Sequence, residues 1–343
     1  MNLVVIMPCL DDARTASELA VEVHQHATEQ GHAVSFLFMD DGSERSLVDS
    51  LREMLPSAPF PMAVLRLRKN VGHQRAIACG LCHLVEHQVP ADAIVVMDSD
   101  GEDLPKDVLA LAAPLSGKAD AVGVVFAKRA RRSETFAFRI GYRFYLAAHR
   151  VLVGHAPRVG NFSAITVPAA RSLVADSNLW SHYAATIWTS RLTRTLIPVH
   201  RGKRRRGSSK LGYTSLVLHG LAAISCYRET LAVRMLLGSG LVLALTLAVF
   251  VVTVYSGVRL RTPDSSLAIL GSGLGVFMMM HLCILSLWQC LNTLQKRHQA
   301  TFMPMRDYSL FVAERFDLGT PFPAAATTNA PRIFSSACAN TTL

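Results

Sequence analysis

The chain has 343 residues, a formal net charge of +10 and 50% hydrophobic residues. Its seven cysteines have neither the spacing of a zinc site nor that of a disulfide framework, so both classes are excluded. The opening residues, MNLVVIMPCLDD, lack a basic segment and a small-residue cleavage site, and a signal peptide is not expected.

Short apolar runs alternate with amphipathic segments through the first third of the chain. Uninterrupted apolar strands separated by helices are typical of a parallel sheet that is buried on both faces. The pattern therefore predicts an α/β fold with a mostly parallel sheet, built from right-handed crossover units. We predict strands at 3–7, 34–39, 62–67, 93–97, 119–126 and 159–167, and helices at 15–30, 46–55, 75–86 and 106–115.

Polar residues follow four of the predicted strands. Because ligands bind at the carboxyl ends of parallel strands, these residues are expected to meet at one edge of the sheet. Each motif alone fits a turn, but the four together predict a nucleotide-diphosphate site. The sequence has no P-loop and no dinucleotide-binding fingerprint, which disfavours P-loop kinases and dehydrogenases. The candidate residues are Asp12, Asp40, Asp41, Gly42, Ser43, Asn70, Gly72, His73 and Asp98.

Four carboxylates follow the fourth strand: Asp98, Asp100, Glu102 and Asp103. Like charges this close raise one another's pKa unless a cation neutralises them. Mg²⁺ or Mn²⁺, held by carboxylate oxygens and shared with substrate phosphates, satisfies that requirement. We therefore predict Asp98 and Asp100 as metal ligands and all four acids as catalytic candidates. The alternative is a solvated acidic loop at the start of the next helix.

Two uncharged apolar segments, 235–257 and 265–294, are each long enough to cross a bilayer. They predict a transmembrane hairpin, with a pair of buried core helices as the alternative. The basic excess before the hairpin favours a cytoplasmic catalytic domain. Small residues in the first segment permit a homo-oligomer.

The chain also carries two basic segments, at 128–143 with interleaved aromatic residues and at 201–213. Such segments suit lipid phosphates or nucleic acid, and the hairpin favours the membrane over nucleic acid. The predicted organisation is a catalytic domain at 1–212, an interfacial amphipathic helix at 213–234, the spans at 235–257 and 265–294, an interfacial or cytoplasmic segment at 295–318, and a disordered tail at 319–343.

With these motifs, residues 3 to about 300 resemble the family-2 glycosyltransferases of GT-A fold. The likeness is greatest to the branch that transfers sugars to polyprenyl phosphates, such as the dolichol-phosphate mannose synthases and the bactoprenol glucosyltransferases. It rests on the motifs at 40–43, 70–72, 98–105 and 204–210. The chain departs from these relatives at Asp11 and Asp12, where they carry Asn-Glu, and at Ser163, where they usually carry arginine. No Gln-x-x-Arg-Trp motif is present, which disfavours the polymer-forming members.

The resemblance implies an inverting transfer of a hexose-type sugar from a nucleotide-diphosphate sugar to a polyprenyl phosphate. It implies that Pro8, Asp12 and Asp41 line the base and ribose, and that Asp98 and Asp100 hold the diphosphate through Mg²⁺ or Mn²⁺. Two alternatives stay open: transfer to a glycan or lipid hydroxyl, with Glu102 or Asp103 as the base, or a membrane-tethered scaffold without activity. The candidates for the acceptor phosphate are Arg129, Arg139, Arg204, Ser209 and Lys210.

Overall fold

The computed structural model describes residues 1–116, 123–129, 143, 146, 147, 149–154, 159–206, 212–260, 265–295 and 302–323. Within these residues, eight strands form one sheet. The strands are β1 (Asn2–Cys9), β2 (Ala33–Asp40), β3 (Pro61–Leu67), β4 (Ala93–Val96), β5 (Val124–Arg129), β6 (Ser163–Ile165), β7 (Arg194–Val199) and β8 (Val312–Gly319).

Helices flank the sheet and continue beyond it. The helices are α1 (Ala13–Glu29), α2 (Leu47–Met54), α3 (His73–Glu86), α4 (Pro105–Ala112), α5 (Val167–Val174), α6 (Tyr183–Thr189), α7 (Tyr213–Ser225), α8 (Arg228–Leu260), α9 (Ser265–Gln295) and α10 (Pro304–Asp307). The sheet, its flanking helices and residues 302–323 belong to one compact unit, and the two long helices α8 and α9 belong to a second.

The sheet is mixed, with a parallel centre. Its strand order is β7-β5-β6-β4-β1-β2-β3-β8. The central strands β4, β1, β2 and β3 are parallel, as the sequence predicted, and β5 is parallel to β7. Strand β6 is antiparallel to both β4 and β5, and β8 is antiparallel to β3. The predicted strand at 159–167 is shorter than expected, since α5 already begins at Val167.

The centre of the sheet is buried on both faces. In β1, Leu3, Val5 and Met7 pack into one core cluster, and Val4 and Ile6 pack into another. Alternate side chains of a strand point to opposite faces, so a strand covered on both sides must be apolar throughout. This requirement explains why the central strands were recognisable from sequence.

The segment after the hairpin returns to the sheet, whereas the sequence suggested an interfacial or cytoplasmic segment at 295–318. Strand β8 pairs with β3 from Pro61 opposite Gly319 to Leu67 opposite Val312. Leu318 and Phe322 are each 4% exposed, so the first residues assigned to the tail are part of the fold. Residues 296–301 and 324–343 lie outside the described part of the chain.

Helices α8 and α9 are both long and apolar enough to cross a membrane, with mean hydropathies of 2.5 and 2.0 over their most apolar stretches. The predicted boundary at residue 234 falls inside a continuous helix, because α8 begins at Arg228. The two helices pack where glycine permits a close approach. A Cβ added to Gly273 would lie 3.3 Å from the Phe250 ring, and one added to Gly275 would lie 3.5 Å from Thr246.

Candidate active site

The four predicted polar loops meet at the carboxyl edge of the parallel strands. In the register, Cys9 of β1 lies opposite Asp40 of β2, and Asp40 lies opposite Arg66 of β3. Strand β4 pairs with β1 on its other side, so the loop that begins after Val96 opens at the same edge. The sequence therefore brings these loops together as expected.

The loops after β1 and β2 are tied to each other. Asp40 Oδ1 accepts a hydrogen bond from the Ser43 amide at 2.9 Å, and Ser43 Oγ accepts one from the Asp11 amide at 3.0 Å. Asp11 in turn accepts from the Glu44 amide at 2.7 Å, and its φ is 54°. A short polar side chain tolerates this left-handed conformation, so aspartate serves at the position where the resemblance expects asparagine.

Asp41 supports the loop that precedes α3. Its Oδ1 accepts from the Val71 amide at 2.7 Å and its Oδ2 from the Gly72 amide at 3.0 Å. Burial raises the pKa of Asp41, while these two N–H donors act in the opposite direction. The neighbouring Gly42 has φ 76°, and a Cβ there would lie 2.7 Å from the Asn70 amide nitrogen. The carboxylate thus orders the loop, and its contact with a ribose stays a prediction.

The remaining donor-site candidates lie at the start of helices or in β1. Pro8 is buried in β1 opposite Met39. Asp12 precedes α1, and its carbonyl accepts a hydrogen bond from the Ala16 amide. Gly72, with φ 91°, precedes α3, and His73 is the first residue of that helix. Their contacts with a nucleotide stay predictions.

The acidic loop after β4 is held by its own side chains. Asp103 is 1% exposed and accepts a hydrogen bond from the Asp98 amide at 3.0 Å. Asp100 Oδ1 accepts from the Glu102 amide at 2.9 Å. Gly101 between them has φ 88°, a conformation that favours glycine. Asp103 therefore holds the backbone of the loop at Asp98. The sequence could not distinguish this structural role from a catalytic one.

A basic segment at 201–206 lies directly against this acidic loop. Arg204 Nη2 is 2.8 Å from Asp100 Oδ2, and Arg201 is paired with Glu102. Two backbone bonds reinforce the contact: the Gly202 amide donates to the Glu102 carbonyl at 2.8 Å, and the Arg205 amide donates to the Asp100 carbonyl at 3.0 Å. In this structure Arg204 contacts a candidate metal ligand, a partner that sequence reasoning missed.

The same segment is anchored to α1 on its other side. Arg205 makes two hydrogen bonds to Glu22, at 2.6 and 2.7 Å, and Arg206 Nη2 is 2.7 Å from Glu18 Oε1. Of the other acceptor candidates, Arg129 ends β5, and Arg139, Ser209 and Lys210 lie outside the described residues.

His73 lies next to Asp98, with its Nε2 3.1 Å from Asp98 Oδ1. Burial opposes protonation of this ring, but the charges of Asp98, Asp103 and Asp41 outweigh it, so the pKa of His73 is raised. The same nitrogen, His73 Nε2, also lies 3.0 Å from Asn161 Nδ2.

A chain of side-chain hydrogen bonds continues from there. Gln74 Nε2 donates to Asn161 Oδ1 at 3.1 Å, and Gln74 Oε1 accepts from the Tyr183 amide at 2.7 Å. Ser163 is 0% exposed, and its Oγ lies 2.8 Å from both the Asn161 carbonyl and the Tyr183 hydroxyl. Ser163 therefore links the Asn161 backbone to the Tyr183 side chain within this network. The sequence gives no sign that Gln74 contacts Tyr183, since only the fold joins them.

Comparison with known proteins identifies the domain that carries this site. Residues 4–167, just under half of the chain, match the family model Glycosyl transferase family 2. The chain contains a family-2 glycosyltransferase domain. The matched residues include all four loops at the edge of the sheet, and the α/β sheet described above is the GT-A fold.

Relatives of this glycosyltransferase include two transferases from Salmonella. The undecaprenyl-phosphate 4-deoxy-4-formamido-L-arabinose transferase of Salmonella paratyphi B is 26% identical over 243 residues, which cover 68% of this chain and 70% of the relative. The protein of the same name from Salmonella newport gives the same values.

Similar solved structures include a mannosyl- and a glucosyl-3-phosphoglycerate synthase. Mannosyl-3-phosphoglycerate synthase from Rubrobacter xylanophilus is 12% identical, with a TM-score of 0.46, over 66% of this chain and 72% of that one. Glucosyl-3-phosphoglycerate synthase from Mycobacterium tuberculosis, in complex with Mn²⁺ and uridine-diphosphate-glucose, is 18% identical, with a TM-score of 0.42, over 68% and 78%.

The acidic loop of the glycosyltransferase fits a divalent ion that also binds phosphate. Among the residues that the structure describes, no group of three or more His, Cys, Asp or Glu side chains is arranged to hold a metal ion. Mg²⁺-type sites in phosphate-transferring enzymes use only one or two carboxylates, with phosphates and water completing the coordination. Asp98 and Asp100, whose side chains are 23% and 13% exposed, are the two carboxylates predicted for such a site, and their binding of a metal stays a prediction.

Helix α7 of the glycosyltransferase reaches this edge of the sheet. The His219 ring on α7 lies 4.6 Å, centroid to centroid, from the His182 ring at the start of α6. Desolvation and the charge of His73 lower the pKa of His219, whereas Asp98 raises it. His219 is thus a neighbour of the acidic loop that was not predicted as a site residue.

Proposed function

We propose that this glycosyltransferase moves a hexose-type sugar from a nucleotide-diphosphate sugar to the phosphate of a polyprenyl phosphate. The proposal depends chiefly on the acidic loop at 98–103, at the ligand-binding edge of a family-2 domain that continues into two apolar helices. The Salmonella relatives, named as undecaprenyl-phosphate transferases, support a polyprenyl phosphate as the acceptor.

A phosphate acceptor agrees with the contacts of the acidic loop. A phosphomonoester has a second pKa of about 6, so it is largely a dianion at neutral pH and needs no general base. A hydroxyl acceptor would need one. Glu102 is paired with Arg201, and Asp103 is buried against the Asp98 amide. Because neither carboxylate is positioned as a base, these contacts favour the phosphate over a hydroxyl.

The task of the protein is to bring two anionic reactants together and to offset their repulsion. Asp98 and Asp100 would hold Mg²⁺ or Mn²⁺, which supplies Lewis-acid stabilisation of the departing diphosphate. Direct attack of the acceptor phosphate at the anomeric carbon inverts its configuration. The candidates for binding the acceptor phosphate are Arg129, Arg139, Arg204, Ser209 and Lys210.

Helix α7 is proposed as the interfacial helix that leads into the membrane. It presents exposed apolar side chains at Val217 (44% exposed), Leu218 (59%) and Leu221 (55%). Amphipathic helices with such a face lie at the boundary between headgroups and acyl chains. The catalytic domain is proposed to face the cytoplasm, because the basic excess of the chain precedes the hairpin.

The test is sugar transfer in membranes that contain the full chain. Polyprenyl phosphate, Mn²⁺ or Mg²⁺ and a panel of radiolabelled UDP- and GDP-sugars are supplied. We expect a chloroform-soluble, acid-labile product with one donor. Asp98→Asn should abolish the product by removing a charged metal ligand, whereas Asp49→Asn, at an exposed acid on α2, should leave it unchanged.

Two outcomes would overturn the proposed transfer to a polyprenyl phosphate, and a third would contradict the metal assignment. A labelled product that forms only when a glycan hydroxyl is supplied, and not with polyprenyl phosphate, would establish the hydroxyl acceptor. Absence of product with every donor, in membranes where the protein is folded, would favour the inactive scaffold. Full activity of Asp98→Asn would contradict the metal assignment.

A further inference from the structure

One short turn of the catalytic domain contacts residues from both ends of the hairpin. It is a single turn of 3₁₀ helix at Ser177–Trp180, just before α6. Cys226, which follows α7, places its Sγ 3.9 Å from the Asn178 carbonyl oxygen. The ring of Phe302, which comes after α9, lies 4.2 Å from the Trp180 ring, centroid to centroid. The residues that precede and follow the hairpin therefore meet at the same turn.

The length of the chain keeps this turn within reach of the two long helices. Helix α8 begins at Arg228, two residues after Cys226, and α9 ends at Gln295, seven residues before Phe302. A fully extended chain spans at most about 3.6 Å per residue, so these connections reach at most about 7 Å and about 25 Å. If α8 and α9 lie in a bilayer, the turn at 177–180 is therefore close to the lipid headgroups.

A leucine beside this turn is held in an exposed position. Leu310 is 70% exposed. On one side of it, Tyr308 is 3% exposed and donates a hydrogen bond to Glu86. On the other side, the Phe311 ring lies 4.7 Å from the Trp180 ring. Single exposed leucines are common on soluble domains, but this leucine is fixed between two anchored residues and next to a group of aromatic rings.

Basic side chains adjoin these aromatic rings. The Arg75 guanidinium lies 5.7 Å from the centre of the Trp180 ring. The Arg68 amide donates a hydrogen bond to the Phe311 carbonyl at 2.8 Å. Arg68, Lys69 and Arg75 are all exposed. Apolar and aromatic side chains next to lysine and arginine are typical of surfaces that bind at the boundary between anionic headgroups and acyl chains.

This surface lies at the edge of the sheet that carries the candidate active site. Arg68 directly follows Leu67, the residue at the carboxyl end of β3. Arg75 is in the first turn of α3, two residues after His73. Lipid that contacts these residues is therefore at the same edge as the acidic loop.

We propose that the apolar and basic side chains at this edge form a second membrane-docking surface, which binds a leaflet that contains anionic lipid. Its apolar part consists of Trp180, Phe302, Leu310 and Phe311, and its basic part of Arg68, Lys69 and Arg75. The catalytic domain then contacts the bilayer twice, through α7 before the hairpin and through this surface after it. The inference rests on the proposed function in one respect, that α8 and α9 lie in a bilayer.

The test is the membrane depth of a nitroxide label on the full chain, in nanodiscs that hold one chain each. The label is attached to Leu310→Cys or, as the control, to Met54→Cys, which replaces a 40% exposed apolar residue at the end of α2. Both are made in a Cys338→Ser background, whose own labelling is subtracted. Oxygen concentrates in the bilayer, whereas a polar nickel complex is excluded from it. We therefore expect the ratio of oxygen to nickel collisions to be several-fold higher at position 310 than at position 54.

The basic part is tested in discs of phosphatidylcholine with and without phosphatidylglycerol. Arg68→Gln/Lys69→Gln, in the chain labelled at position 310, should lower the collision ratio in the anionic discs toward its value in the neutral discs. The matched control is Arg52→Gln/Arg171→Gln, which removes the same charge at two exposed positions and should leave the ratio unchanged. Equal ratios in the two lipids, or equal effects of the two double variants, would overturn the assignment to anionic lipid.

Two results would overturn the docking surface itself. One is a label at position 310 that collides with the nickel complex as often as the label at position 54 does. The other is protection from both oxygen and nickel, which would mean that protein covers Leu310 in place of lipid. The measurement needs neither donor nor acceptor, so a missing lipid product would leave this inference intact. Conversely, sugar transfer by a protein whose label at position 310 stays in water would overturn this inference alone.

Discussion

Gly202 is the residue at which the basic segment comes closest to the acidic loop. A Cβ added there would lie 2.6 Å from the Gly101 carbonyl oxygen and 2.8 Å from Leu104 Cδ2. The first of these is a backbone atom, so one loop must move to make room. The Arg201–Glu102 and Arg204–Asp100 pairs lie on either side of this contact. The close approach of the two loops therefore requires a residue without a side chain at position 202.

We predict that Gly202→Ala lowers sugar transfer by about tenfold, because overpacking of about 1–3 kcal/mol displaces the basic segment from Asp100. Initial rates in membranes, at matched protein levels, measure the effect. Gly123→Ala is the control, since its nearest atoms would lie at an ordinary 3.5 Å. Equal rates for wild type and Gly202→Ala would show that the contact between the loops is unimportant for transfer.

Some of these site residues could be predicted from sequence and others could not, for a physical reason. The acidic loop that carries Asp98 and Asp100 could be located from sequence, because clustered acids at the end of an apolar strand raise one another's pKa unless a cation neutralises them; its metal binding stays a prediction. The contact of Arg204 with Asp100 was not recognisable, since a basic segment before a membrane helix has the same composition whether it binds lipid or protein. The hydrogen bond from the Tyr183 amide to Gln74 joins residues 109 positions apart in the sequence and forms only in the folded protein.

At the level of elements, β8 is the least expected part of the fold. The central strands were predicted from continuous apolar runs, but β8 is only partly buried and contains charged residues. An edge strand is covered on fewer sides, so its sequence carries a weaker pattern. Its segment instead suggested a second interfacial element.

The segment that contains β8 is nevertheless firmly attached to the catalytic domain. Tyr308 is 3% exposed and donates a hydrogen bond to Glu86 of α3, and the Phe311 carbonyl accepts from the Arg68 amide at 2.8 Å. The rings of Phe302 and Phe311 lie 4.2 and 4.7 Å from the Trp180 ring. These contacts indicate that the catalytic domain is incomplete without residues that follow the hairpin.

A pair of truncations tests this dependence. A chain that ends at Pro323 should keep the thermal midpoint of the full-length protein, because it retains β8 and Phe322. A chain that ends at Thr301 should aggregate or melt at a markedly lower temperature in detergent, because it exposes the edge of β3. Size-exclusion chromatography and thermal unfolding report the difference. Similar behaviour of the two truncated chains would mean that β8 contributes little to stability.

At the level of the whole molecule, the return of the chain to the sheet constrains its membrane topology. Residues before α8 and after α9 contribute strands to the same sheet. If both long helices cross the bilayer, the two ends of the hairpin must lie on one side and the connector at 261–264 on the other. The sequence predicted a hairpin from two apolar segments and a short connector, and a hairpin has this arrangement.

Single-cysteine labelling tests the topology and its proposed orientation. Val258→Cys, 70% exposed near the connector, should react with a membrane-impermeant maleimide added to intact cells. Arg171→Cys, exposed on α5, should react only after the membrane is permeabilised. Both substitutions are made in a Cys338→Ser background. The other six native cysteines can stay, because they are buried or half-buried and should react slowly with the maleimide. The reverse pattern would place the catalytic domain outside the cytoplasm.

The position of β8 in the chain also sets the order of events during synthesis. At about 5–20 residues per second, β8 leaves the ribosome on the order of ten seconds or more after β3, with both apolar helices translated in between. Throughout that interval β3 has an unpaired edge, which is open to association with other chains. The nascent catalytic domain therefore cannot be completed before the hairpin has been made, and a chain whose hairpin stalls at the membrane is left with the exposed edge that quality-control proteases and chaperones recognise.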